Sequence, residues 1–192
     1  MIPILTTGRL LLRPLELTDA AAIQAVFPQW EIVRFLSKTV PWPYPADGAE
    51  TYLRDVALPA MARGTEWHWT LRPRDAPLTL IGLISLMDRP DENRGFWLDP
   101  VWQGRGLMTE AVEAVTDFWF ESLGREVLRA PKAAANRASR RLSERTGMRL
   151  VATAERAYVG GPMPGELWEI TRDEWRARRC AATEEHPIPA DD

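Results

Sequence analysis

One turn in the chain has the composition of an anion cradle. Leu98-Asp99-Pro100-Val101-Trp102-Gln103-Gly104-Arg105-Gly106-Leu107-Met108-Thr109 runs from the end of an apolar strand, through a glycine-containing turn, into an amphipathic helix. A helix entrance presents main-chain N–H groups that lack intrahelical acceptors, together with the positive end of the helix dipole. Glycines at 104 and 106 let the backbone approach a pyrophosphate with no Cβ in the way. The dipole contributes about 0.3–1 kcal/mol, up to about 2 when partly buried. Hydrogen bonds to a charged group contribute about 1.5–3 kcal/mol each, so the amides dominate. Two glycines equally suit a plain strand-to-helix turn, and the spacing alone leaves both readings open. Other phosphate motifs fit worse: there is no third glycine for a dinucleotide fingerprint and no Gly-Lys-Ser/Thr.

The elements that would position this turn follow from periodicity. Arg9-Leu10-Leu11-Leu12-Arg13 predicts a short strand ended by Pro14, and Thr18-Asp19 caps a helix reaching about Val26. A second short helix is expected over 30–36. Alternate prolines at 41, 43 and 45 force an aromatic-rich loop. A helix over about 47–63 closes at Gly64. Trp67, Trp69 and Leu71 alternate with polar neighbours, 78–87 is apolar throughout, and 93–98 carries Phe96, Trp97 and Leu98. The short turns between them predict an antiparallel meander. Met108, Ala111, Val112, Val115, Phe118 and Trp119 then fall at helical spacing, ending at Gly124. A strand over 126–133, a helix from Asn136 to Gly147 and closing strands over 148–154 and 166–170 complete a mixed α/β sheet with helices on its faces. One domain over 1–176 is expected, with a polar tail over 177–192 held loosely.

The bulk numbers bound the class. At 192 residues and a net charge of -3, the chain shows no basic stripe for a nucleic acid. Only Lys38 and Lys132 are lysines. A lone Cys180 excludes an intrachain disulfide and a cysteine zinc cluster. His68 and His186 read as isolated, so no metal is expected. The first residues do not read as a signal peptide, and the apolar run 78–87 is too short to span a bilayer. A cytoplasmic enzyme or binding protein is the expectation.

The turn resembles motif A of the GNAT superfamily, Gln/Arg-x-x-Gly-x-Gly/Ala, with Gln103, Gly106 and Met108 at the marked positions; Met108 departs from the usual small residue. Asn136-Arg137-Ala138-Ser139 through Gly147-Met148 resembles the Asn-x-x-Ser…Gly-Phe segment of the RimJ/RimL-like branch, which contains ribosomal-protein N-terminal acetyltransferases. Thr7-Gly8-Arg9-Leu10-Leu11-Leu12-Arg13-Pro14 and Glu166…Thr171-Arg172-Asp173-Glu174-Trp175 are similar to it too, so the likeness covers about 7–176 in order.

This resemblance implies a GNAT-like acyl-CoA N-acyltransferase fold: a mostly antiparallel sheet, splayed at the cofactor site, with flanking helices. It implies acetyl-CoA as co-substrate, without a metal. By the likeness, the amides of Gln103, Gly104, Arg105, Gly106, Leu107, Met108 and Thr109 bind the pyrophosphate. Trp97 and Leu98 pair with the pantetheine, and Asn136 and Ser139 lie beside the thiol. Asn136 is also a plain N-cap with Ser139 at N3.

The reaction is attack of a neutral amine on a thioester. It needs a sink for the amine proton, a donor for the oxyanion and help for the leaving thiolate. The resemblance puts the oxyanion donor at a backbone N–H near Leu98. Many relatives use a tyrosine as acid, and Ser143 stands in its place; Ser139 is then expected to hydrogen-bond the sulfur. Where many relatives carry a glutamate base, this chain has Asn93. Glu166, then Glu92, are the expected bases. Trp30, Glu31, Phe35, Trp42 and Tyr44 are expected to line the acceptor pocket.

An α-amine has a pKa of about 7.7–8.0 and a lysine about 10.4, so roughly a tenth of α-amines are neutral at pH 7 against fewer than about one lysine in a thousand. An enzyme with a weak base therefore favours a peptide N-terminus or a small metabolite amine over a protein lysine, and the peptide or protein N-terminal α-amine is the acceptor expected here. A small-molecule amine (antibiotic, polyamine or amino acid) and a non-catalytic acyl-CoA-binding module are the competing expectations. No nucleic-acid or membrane partner is expected, and a homodimer is left open.

Overall fold

The structure, a computed structural model, describes residues 2–184. Strand β1 (Leu5–Thr6) pairs antiparallel with β2 (Leu10–Pro14). A 3-10 turn (Leu17–Asp19) leads into α1 (Ala20–Val26). The expected cap residue Asp19 is buried and does more than close a helix end. Its carboxylate accepts from the Glu16 amide at 3.0 Å, Arg13 at 3.0 Å and Arg72 at 2.6 Å, fastening the first helix to the sheet. The next helix, α2 (Trp30–Val33), is shorter than the expected 30–36. The helix expected over 47–63 runs as α3 (Gly48–Tyr52), a π segment (Leu53–Ala57) and α4 (Leu58–Ala62), and Gly64 (φ 70°) ends it.

The meander is present. Strands β3 (Glu66–Pro73), β4 (Gly82–Met87) and β5 (Arg94–Leu98) extend the first sheet in the order β1-β2-β3-β4-β5, with every neighbour antiparallel. The apolar run 78–87 yields a shorter strand than its composition implies: Leu78 is 89% exposed and the strand begins at Gly82. All eight residues of β3 are buried, including His68, Thr70 and Arg72. The alternation of Trp67, Trp69 and Leu71 with polar neighbours thus marks two covered faces, not a wet one.

Helix α5 (Leu107–Asp117) continues into a π segment (Phe118–Ser122). A second sheet follows, built from β6 (Val127–Ala133), β7 (Arg149–Tyr158) and β8 (Gly161–Thr171) in the order β6-β8-β7. Helix α6 (Arg137–Arg145) crosses between β6 and β7. The single mixed sheet of the sequence reading is therefore two sheets. Pro131 sits in β6, an edge strand of its sheet, where a missing donor is tolerated. One core packs α5 against both sheets through residues such as Trp69, Val112, Trp119 and Trp168; the other packs α1–α4 on the opposite face through Ile23, Val33, Leu53 and Leu83.

Helix α7 (Arg172–Glu184) corrects the expected tail. Residues 177–184 are helical, and the helix is anchored by Trp175, 1% exposed, whose Nε1 donates to Asp117 Oδ1 at 2.8 Å. Helical structure thus continues past 176, while 185–192, with His186, lie outside the described residues. Among the described residues no helix is long and apolar enough to cross a membrane.

Candidate active site

The two sheets meet at one point and then diverge. The Asn93 amide donates to the Arg129 carbonyl at 2.7 Å, and the Arg129 amide donates back to Asn93 Oδ1 at 2.8 Å. Beyond that tie β5 pairs only with β4 and β6 only with β8, so the facing edges of β5 and β6 bound a wedge. Gly82 permits the close approach of β4 to β5: a Cβ there would lie 2.5 Å from the Trp97 carbonyl oxygen.

The glycine turn lies at the open end of the wedge, directly after β5. Asp99 caps a 3-10 turn (Pro100–Trp102) by accepting from the Val101 amide at 3.3 Å. Gln103 folds back, its Nε2 donating to the Leu98 carbonyl at 2.9 Å. Gly104 (φ 75°) and Gly106 (φ 77°) both take the left-handed conformation that glycine adopts without strain, and Gly106 is the N-cap of α5. Residues 103–106 are exposed and Leu107 is buried, so the turn is anchored from below and open above. The amides of Gly104, Arg105, Gly106, Leu107 and Met108 donate to no protein acceptor among the described residues; the ladder resumes with Thr109 and Glu110, whose amides reach the Gly106 carbonyl. Five successive free donors at a helix N-terminus form an anion cradle. Glu110, in the first turn of α5, is neutralised by Thr7 Oγ1 (2.6 Å) and by the Arg9 guanidinium.

On the α5–α6 side of the wedge, Asn136 Oδ1 accepts from the Ser139 amide at 3.1 Å, so the helix-cap reading of this pair is realised. Ser139 remains partly exposed. Glu166 lies across from Lys132 on the neighbouring strand. It is buried, and its Oε2 accepts from Trp168 Nε1 at 2.8 Å and Arg140 Nε at 3.0 Å. Glu92 sits elsewhere, half-buried on the loop before β5 and 3.5 Å from Arg89.

On the opposite face, the aromatic loop reaches the wedge by stacking. Tyr44 packs edge-on against Phe27 with centroids 5.0 Å apart, and Phe27 lies 5.3 Å from Trp97 on β5. Trp30 and Trp42 pair at 5.6 Å and both are exposed. Glu31 is exposed, and Phe35 lies under the Arg34 guanidinium. The segment 34–38 is tied to the β7–β8 hairpin through the Lys38 amide to Ala157 and the Val159 amide to Leu36.

One constellation escapes the sequence reading. His68, read there as isolated, is hydrogen-bonded at both ring nitrogens: Nδ1 is 2.7 Å from Ser85 Oγ, and Nε2 is 2.8 Å from Glu66 Oε2. Arg89 closes the chain on Glu66, and the Tyr52 ring stands edge-on to the imidazole. Burial alone pushes the Glu66 carboxyl up, but hydrogen bonds from His68 and Arg89 outweigh it and hold it below the usual carboxylate range. Ser85 pairs in register with Gly95 on β5. The signal was the i, i+2 spacing of Glu66 and His68, which puts both on one strand face. Among the described residues no cluster of His, Cys, Asp or Glu could hold a metal.

The Acetyltransferase (GNAT) domain matches residues 9–149. The chain belongs to the GNAT acetyltransferase family. Its fold is the GNAT fold and it is an acetyltransferase; the fold uses acetyl-CoA. A Bacillus subtilis relative, the uncharacterized N-acetyltransferase YoaA, is 28% identical over 155 residues, covering 77% of this chain and 83% of its own. The fold is shared with the ribosomal-protein-S5-alanine acetyltransferase of Vibrio fischeri: TM-score 0.77, 17% identity, 90% of this chain and 98% of that one. It is shared also with a mutant form of the spermidine N-acetyltransferase SpeG of Vibrio cholerae: TM-score 0.71, 17% identity, 90% of this chain and 99% of that one.

Proposed function

We propose that this GNAT enzyme transfers acetyl from acetyl-CoA to a primary amine by direct attack in a ternary complex, with a peptide N-terminal α-amine as the favoured acceptor. The observation that carries the reading is the rank of exposed, unpartnered amides from Gly104 to Met108 at the open end of the wedge. These amides, flanked by Gln103 and Thr109, hold the diphosphate. The pantetheine enters between β5 and β6 along Trp97 and Leu98, and the thiol end lies toward Asn136 and Ser139 on α6. The free edge of β5 supplies the oxyanion donor. The acceptor comes from the α1–α4 face, past Trp30, Glu31, Phe35, Trp42 and Tyr44.

The carboxylates divide by side. Glu166 shares its charge with Arg140 on α6, which supports a place on the sulfur side of the reaction over the base role expected of it. Glu92, half-buried near the closed end of the wedge, is left as the proton acceptor. Among the expected acceptor-side lining the one carboxylate is the solvent-exposed Glu31, and this supports an α-amine, about a tenth of which is already neutral at pH 7. The ribosomal-protein acetyltransferase among the fold neighbours is consistent with that choice.

The deciding assay follows thiol release from acetyl-CoA with three acceptors: a peptide with a free N-terminal alanine, its N-blocked lysine-containing twin, and spermidine. Turnover confined to the first supports the proposal. Turnover on spermidine alone moves the chain to small amines. Coenzyme A binding without turnover on a wide amine panel would make it a binding module.

A further inference from the structure

The wedge holds a buried cation to which no role has yet been given. Lys132 lies on β6 three residues beyond Arg129, so about 10 Å up the wedge from the tie. It is 7% exposed. Its Nζ donates to Ser143 Oγ on α6 and stands 5.3 Å from the centre of the Trp168 ring. Ser143 is itself buried and sits one helical turn beyond Ser139, on the same face of α6. An ammonium offers three donors, and here one hydroxyl and one ring face receive them.

The neighbourhood is short of negative charge. Arg94, on β5 across the wedge, is buried as well; it donates to Thr116 Oγ1 at 3.1 Å and to the Met148 sulfur at 3.1 Å, and its Nε has no partner. The groups around Lys132 are Ser143 and Glu144 from α6, Glu166 and Trp168 from β8, and Arg94 from β5. Glu166 is the one buried carboxylate among them, and Arg140 and Trp168 already engage it. A buried cation without a contacting anion is an unfavourable arrangement unless a ligand completes it.

We propose that Lys132, oriented by Ser143, is the group that receives the departing thiolate of coenzyme A as an ammonium–thiolate pair. The inference rests on the cofactor seat argued above. The acceptor nitrogen forms its bond to the thioester carbon, the C–S bond breaks and its electron pair stays on sulfur. The Lys132 ammonium pairs with that sulfur and keeps its proton, so coenzyme A is first held as the thiolate. The acceptor nitrogen loses one proton to water or a base, and the sulfur takes one from solvent as coenzyme A leaves. Burial, reinforced by the Arg94 charge, brings the Lys132 ammonium down to about 7, against the pull of Glu166 and Glu144. An arriving thiolate supplies the counter-charge that this buried ammonium lacks, and each charge favours the other.

The test needs no acceptor. Reduced coenzyme A is bound to the intact protein and its thiolate is titrated by ultraviolet absorbance across pH. The expected result is about tenfold more bound thiolate at pH 7 than in free coenzyme A, which corresponds to one pH unit. Lys132→Met should abolish that excess while coenzyme A affinity stays within about threefold, since the diphosphate seat is untouched; Ser143→Ala should leave part of it. A bound thiol that titrates as it does in free solution overturns the proposal from the wild-type protein alone, whatever Lys132→Met does to folding. An excess that survives in folded Lys132→Met overturns it too. Failure of coenzyme A to bind at all would instead remove the cofactor seat, and this inference with it.

Discussion

Asn93 and Arg129 bind each other twice, main chain to main chain and main chain to side chain, and nothing else among the described residues holds β5 to β6 with comparable geometry. The remaining amide hydrogens of Asn93 go to the Met87 and Arg89 carbonyls, at 3.2 and 2.7 Å. Both ends of this buried amide are therefore committed. A glutamate in its place could accept but not donate. Asn93→Ala should strand the Arg129 amide and two carbonyls and lower stability by about 2–3 kcal/mol, read as a fall in the denaturant midpoint. Coenzyme A affinity should fall with it, because the wedge loses its closed end. An unchanged midpoint would show that the tie is dispensable.

Gly106 is the second point of attack. Its φ of 77° makes an L side chain there strained by about 1–2 kcal/mol, and a methyl at the mouth of the cradle crowds the incoming phosphate. Gly106→Ala should weaken coenzyme A binding at least about tenfold by calorimetry, a loss of about 1.4 kcal/mol or more. Equal affinity in both proteins would remove the amides from the cofactor seat.

The Glu66–His68–Ser85 chain makes a pH prediction. The folded state holds Glu66 below its unfolded range, so its contribution is complete above about pH 4.3 and is lost as pH falls through the lowered folded value. Glu66→Gln should destabilise the protein at pH 7 by about 1–3 kcal/mol and flatten the acid limb of the stability curve below about pH 4. Parallel acid limbs in variant and wild type would show that Glu66 is not the group titrating there.

Helix α7 should be indispensable despite its terminal position. Trp175 is 1% exposed and bonded to Asp117. Trp175→Ala should cost about 3–5 kcal/mol, measured by thermal or chemical unfolding. A loss under about 1 kcal/mol would mean that the helix docks only weakly.

The sequence carried the order of elements well where a local signal existed. Gly64, Gly124 and Gly147 stopped helices with positive φ, and two glycines opened the helix at 107. It failed where the decision was non-local. The split into two sheets depends on Asn93 meeting Arg129, 36 residues away, and no periodicity marks that. The tail at 177–184 looked loose because it is polar, yet α7 is held by the single Trp175 and its arginines. The site was legible as a turn and illegible as a constellation. Lys132 and Ser143 are 11 residues apart on a strand and a helix, and His68 and Ser85 are 17 apart on paired strands. Only the tertiary fold brings either pair together.

Among the described residues, strand β7 has β8 along one flank, and on the other only the short bridge of Ser37 to Tyr158 near its end. Its first nine residues are exposed, including Leu150 and Val151. The outer rim over 149–156 is a row of main-chain donors and acceptors on which a stray strand from another molecule could be copied. Arg149, Glu155 and Arg156 punctuate that rim with charge. Keeping the protein dispersed at high concentration therefore falls to three side chains with no part in acetyl transfer.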